Sequence, residues 1–153
     1  MNTTAVHLAI FDDHQIVIDG LKLLLQNHPQ LYIDAEANTA EEMIELLAQK
    51  KIDILLTDIT TPHGMNGYEL ALYIRKQMPP VKILALSMSE EGGMISKMIE
   101  HAHIDGYIPK AAGQKELLLA IDTIASGKTY FSPVILEQYE LFKTMRNKNV
   151  ELH

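Results

Sequence analysis

The chain has 153 residues, 47% of them apolar and 22% charged, with a formal charge of −7 and no cysteine. Those values suit one well-cored domain with a short appendage, and they exclude a disordered chain, a disulfide framework, a thiolate metal site and tight non-specific binding to phosphate backbones. The opening MNTTAVHLAIFDD has no basic segment ahead of a long apolar one, and no apolar run approaches membrane-spanning length, so a cytoplasmic protein without a membrane partner is expected.

Short strand-like runs alternate with longer amphipathic stretches along the chain. Val6–Phe11 predicts a strand ending in two aspartates, and Gln15–Gln26 a helix with Ile16, Val17, Leu21, Leu24 and Leu25 near helical spacing. Leu31–Ala37 alternates strictly, with Leu31, Ile33, Ala35 and Ala37 on one face, as an edge strand would. Thr39 and Glu42 form a capping-box pattern before a helix over Ala40–Gln49.

Ile52–Thr57 and Val81–Leu86 are apolar runs without alternation, the pattern of central strands covered on both faces. Between them a loop with Pro62, Gly64 and Gly67 leads into a helix from about Tyr68 to near Met78, where two prolines stop it. Gly92 and Gly93 precede a stripe of Met94, Ile95, Met98, Ile99 and Ala102. Gly106–Pro109 predicts a short fifth strand, and Gln114–Ala125 a helix stopped by Gly127. Five βα units predict an α/β, flavodoxin-like, doubly wound five-stranded parallel sheet of order 2-1-3-4-5, with helices on both faces.

In such sheets the active groups collect at the carboxyl ends of the strands. Asp12 and Asp13 follow the first strand, Asp58 the third, Ser87 the fourth and Lys110 the fifth, so all five belong to one rim. Converging carboxylates repel unless a cation lies among them, and hard oxygen ligands suit Mg²⁺. An aspartate can be a nucleophile that takes a phosphoryl group. Asp58 is then the acceptor, Asp12 and Asp13 join it in holding Mg²⁺, and Lys110 and Ser87 bind phosphoryl oxygens. Asp13 has the alternative duty of capping the first helix. His101 and His103 are two apart, so they do not face each other on a helix, and solvated surface is the better account.

The blocks IFDDHQ, LLTDITTP, LALSMS and GYIPKAAG resemble those of a two-component response-regulator receiver domain, over roughly residues 5–127. FDDHQIVIDGLKLLL and GKTYFSP are most similar to the LuxR/NarL-like subgroup. The resemblance implies phosphorylation of Asp58 by a sensor histidine kinase and a signalling domain rather than an enzyme. It also implies the backbone carbonyl of Thr60 as a metal ligand, and Tyr107 as a switch aromatic that changes rotamer with Ser87. A homodimer is a further possible partner. Pro62 and Gly67 are five apart where the family usually has four, an insertion near His63, and Thr61 replaces a frequent Met. Ala111 follows Lys110 where many receivers have proline, and a cis Lys110–Ala111 peptide is expected all the same.

These observations divide the chain into a receiver domain over 1–127 and a linker helix with tail over 128–153. Ser132 is the expected N-cap of that helix, with Pro133 at its first position and a stripe of Ile135, Tyr139, Phe142 and Met145. It either packs back on the domain or leads to a helix-turn-helix output domain that this chain lacks. Transcriptional output through that missing DNA-binding domain is one expectation. A stand-alone or phosphorylation-independent receiver acting as a protein–protein interaction module is the alternative. A flavodoxin-like FMN carrier or small hydrolase is disfavoured, because Asp12-Asp13-His14 stands where a phosphate loop rich in glycine and hydroxyls would be.

Overall fold

The computed structural model describes residues 4–59, 64–88 and 91–152. Its elements run β1 (Val6–Phe11), α1 (Gln15–Leu25), β2 (Leu31–Ala37), α2 (Ala40–Gln49), β3 (Ile54–Asp58) and α3 (Gly67–Gln77). They continue with β4 (Lys82–Ser87), α4 (Gly92–Glu100), β5 (Gly106–Pro109), α5 (Gln114–Ala125), β6 (Tyr130–Phe131) and α6 (Pro133–Leu152). The sheet order is β2-β1-β3-β4-β5-β6, with every pair parallel. The five-stranded flavodoxin-like core is therefore as expected, with β2 at an edge. The two-residue β6 extends it beside β5.

Each face of the sheet carries its own core. Ala9, Phe11, Leu55, Ile83, Ala85 and Tyr107 point toward α2, α3, α4 and α6. Leu8, Ile10, Leu56, Leu84 and Ile108 point toward α1 and α5. The expected single face of β2 is split between them. Leu31 and Ile33 join the α1/α5 core, whereas Ala35 and Ala37 join the α2 side. The pairing explains this: Leu8 pairs with Ile33 but Ala9 with Ala35, so the register skips Asp34 and the strand changes face there. His7 Nδ1 lies 2.5 Å from the carboxylate of that extra residue.

Local signals set the helix ends. Thr39 Oγ1 accepts the Glu42 N–H at the start of α2. A reciprocal capping box forms instead between Asn66 and Glu69, which starts α3 at Gly67. In α1, Leu25 is buried and Leu21 and Leu24 pack against the α1/α5 core as the spacing suggested, but Ile18 is buried while Ile16 is 81% exposed. Of the expected α4 stripe, Ile95, Met98 and Ala102 are buried, and Met94 and Ile99 are half-buried against the same core.

α6 folds back on the domain along α4, and Ile135 is fully buried. Met145, the last residue of its expected stripe, is exposed. The Ser132 carbonyl accepts the Leu136 N–H, while its hydroxyl donates to Glu116 Oε2 at 3.0 Å. No helix among the described residues is long and apolar enough to cross a membrane.

Candidate functional site

Parallel strands bring their carboxyl ends to one rim, and the registers place Asp58 beside Leu86 and Ser87 beside Pro109. Asp12, Asp58 and Ser87 are all buried there. Lys110 ties the rim together. Its Nζ is 2.8 Å from Asp12 Oδ2 and 3.0 Å from Asp58 Oδ1, and its backbone N–H donates to the Ser87 carbonyl at 2.8 Å. Asp58 Oδ1 also accepts the Ile59 N–H at 2.9 Å.

The Lys110–Ala111 peptide is trans, against the expected cis form, and no cis peptide occurs among the described residues. Trans is favoured by about 2.5–4 kcal/mol where no proline follows. The trans chain already brings Nζ to both carboxylates, so nothing offsets the cost of the cis form.

Burial pushes the Asp58 carboxyl above its ordinary pKa, and the neighbouring Asp12 charge adds to this; Lys110 and the Ile59 N–H pull it down without cancelling the rise. For Lys110, burial opposes the ammonium form. Its hydrogen bonds and charge contacts with Asp12 and Asp58 outweigh that and raise its pKa.

Asp13 does not cap α1. His14 stands at the N-cap position without a side-chain cap, and its N–H donates to Asp12 Oδ1 at 2.9 Å. Asp12, Asp13 and His14 each offer a ligand atom, all within 4.8 Å of one another. Asp13 Oδ1 is buried and accepts no hydrogen bond among the described residues, with only the His14 ring nitrogen 3.0 Å away. A buried carboxylate oxygen with no donor, next to a second carboxylate, fits a hard divalent cation such as Mg²⁺. Thr60, Thr61, Pro62, His63 and Ser89 lie outside the described residues.

Tyr107 is fully buried on the α4 side of β5, and its carbonyl accepts the Ser132 N–H at 3.0 Å. Three neighbours of the rim escaped the sequence. Asn38 Nδ2 donates to the Asp12 carbonyl and to Gln15 Oε1, both at 3.1 Å, joining the ends of β1 and β2. The His14 ring nitrogen, 3.0 Å from Asp13 Oδ1, is the second. At Gly67 a Cβ would lie 1.6 Å from the Asp58 carbonyl oxygen, so α3 starts directly against the end of β3. Its position after the loop was the one available signal.

The family model "Response regulator receiver domain" matches residues 8–122. Among curated proteins, the response regulator GacA of Pseudomonas viridiflava is 29% identical over 136 residues, covering 89% of this chain and 63% of that protein. The transcriptional regulatory protein MctR of Rhizobium johnstonii is 30% identical over 132 residues, covering 86% of this chain and 61% of that protein. The chain thus spans about three-fifths of the length of these relatives. A LuxR-family response regulator from Aurantimonas superposes with a TM-score of 0.84 at 30% identity, covering 92% of this chain and 99% of that one. The isolated receiver domain of RcsB from Salmonella enterica, solved with the phosphomimetic BeF₃⁻, shares the fold at 23% identity. Its TM-score is 0.82, covering 88% of this chain and 99% of that one.

Proposed function

The chain belongs to the response-regulator receiver domains of two-component signalling, and from that premise we propose that Asp58 is its phosphoacceptor. The observation that carries this is Lys110 bridging the buried Asp58 and Asp12 at the end of the sheet. Asp58 Oδ1 is held by Lys110 and the Ile59 N–H, which leaves Oδ2 to attack the donor phosphorus in line. As the O–P bond forms, the bond from phosphorus to the donor breaks, and the leaving group departs with its electron pair.

Asp12, Asp13 and Asp58, with the Thr60 carbonyl, would hold Mg²⁺, which would supply positive charge against the phosphoryl oxygens. Lys110 then turns from the carboxylates to one phosphoryl oxygen, and Ser87 donates its hydroxyl to another. Tyr107 follows Ser87 as the switch aromatic. The donor is a sensor histidine kinase in the cytoplasm, and the chain signals without transforming a separate substrate.

Residues 1–127 are the receiver, and 128–153 carry the C-terminal linker helix and tail. In the full regulator a DNA-binding output domain reads the change, and a homodimer is a further partner. Incubation with Mg²⁺ and acetyl phosphate tests the acceptor. One hydroxylamine-labile phosphate should form and be absent in Asp58→Asn. No incorporation by the folded wild type would instead support a phosphorylation-independent interaction module.

A further inference from the structure

The outer face of α4 is covered by α6 through a contact that only glycine permits. A Cβ at Gly92 would stand 2.6 Å from Phe142 Cβ and 3.0 Å from the Gln138 carbonyl oxygen. Farther along, the Tyr139 hydroxyl donates to Glu100 Oε2 at 2.6 Å. The Arg146 guanidinium donates to both Glu100 oxygens, at 3.1 and 3.3 Å, and to Ser96 Oγ at 3.3 Å.

This contact is tied to the rim by two routes. α4 begins five residues after Ser87, which ends β4. On the other side, the Ser132 N–H that precedes α6 bonds to the Tyr107 carbonyl, and Phe131 is the register partner of Tyr107. Tyr107, Ile95 and Met98 of α4, and Ile135 of α6 share one core.

We infer that α6 is a built-in cover of α4 whose docking is coupled to the state of Asp58: docked α6 holds the Lys110-bridged site, and a phosphoryl group on Asp58 releases α6 and uncovers α4. The inference rests on the phosphoacceptor proposal above. If Ser87 moves to reach a phosphoryl oxygen, the first turn of α4 is drawn with it. The α6 backbone packed against Gly92 leaves that turn no slack, and tightly packed contacts rearrange between discrete states rather than stretch. Coupling is reciprocal, so loosening α6 must favour occupation of Asp58.

The test uses the full chain with Mg²⁺ and beryllium fluoride as the phosphoryl mimic, following ¹⁹F resonances for occupancy and amide exchange for α6. Saturation should lower the protection of α6. Gly92→Ala wedges α4 from α6 while favouring helix in α4 itself, and Arg146→Ala removes the Glu100 clamp without opening the core. Each should bind the mimic about fivefold more tightly or better, as ordinary allosteric couplings do. A bound ¹⁹F signal with unchanged or increased α6 protection, or wild-type affinity in both variants, overturns the coupling and leaves Asp58 as the acceptor. Absence of any bound signal overturns both.

Discussion

Gly67 and Asp58 are in backbone contact: α3 begins so close to the end of β3 that a Cβ on Gly67 would overlap the Asp58 carbonyl oxygen at 1.6 Å. The second-nearest atoms, Asp58 C at 2.6 Å and Ile59 Cα at 2.8 Å, are also backbone and cannot rotate away.

Gly67→Ala should therefore push α3 off the strand end and displace Asp58. Overpacking of this kind costs about 3 kcal/mol or more where backbone must move. A fall in Tm of about 6–12 °C follows for a domain of this size, together with slower labelling by acetyl phosphate. A thermal scan showing wild-type Tm would contradict the close approach.

Lys110→Ala leaves two buried carboxylates facing each other without their shared cation. Breaking a buried pair from one side costs about 3 kcal/mol. Urea unfolding in EDTA should show that loss, and saturating Mg²⁺ should recover part of it by binding the folded state. Equal midpoints for variant and wild type in EDTA would show that the bridge contributes nothing.

Asp58→Asn should act in the opposite direction. Burial raises the Asp58 pKa above its ordinary 3.8, so the folded chain binds that proton more readily than the unfolded chain. The resulting stabilisation is complete below the ordinary value and is lost as pH rises through the folded one, so at pH 7 the ionised carboxylate opposes folding. Without Mg²⁺ the amide should be more stable than wild type by about 1 kcal/mol, an ordinary size for one substitution. The gap should close as pH falls toward 4. Urea midpoints at pH 7 and 4 decide it, and a less stable variant at pH 7 would refute the sign.

The clamp on α6 should be acid-sensitive. Hydrogen bonds from Arg146, then Tyr139, lower the Glu100 pKa from 4.5 to about 2. A depressed carboxyl stabilises above its unfolded value, so the contribution is full above about pH 4.5 and disappears as pH falls toward 2. The pair is partly solvated, so the effect is local rather than global. Amide exchange in α6 should accelerate across that window in wild type and not in Glu100→Gln. An identical pH profile in both would remove Glu100 from the clamp.

The fold was legible because its cues are local. Apolar runs, the Gly127 stop and the alternation of β2 all act within a few residues, and they sufficed for five βα units with β2 at the edge. The rim was legible for a related reason: in a parallel sheet every strand's carboxyl end points the same way, so residues after β1, β3, β4 and β5 must gather. Asp12, Asp58, Ser87 and Lys110 do so.

Other features were hidden because they arise between residues far apart in the chain. The extra residue at Asp34 is invisible in an alternating sequence, since only pairing with β1 shows that Ile33 and Ala35 face opposite cores. β6 is too short to carry a period. Asn38 reads as a loop polar residue until the ends of β1 and β2 meet.

By itself, the sequence determined that five βα units form and which charged groups share the rim, because hydrophobic period and strand direction are properties of the chain's own order. Only the tertiary structure decided that one lysine spans two carboxylates, that Asp13 keeps a buried oxygen without a donor among the described residues, and that α6 closes over α4. Each of those depends on distances of a few ångströms across the packed core. Close packing, rather than local propensity, sets such distances.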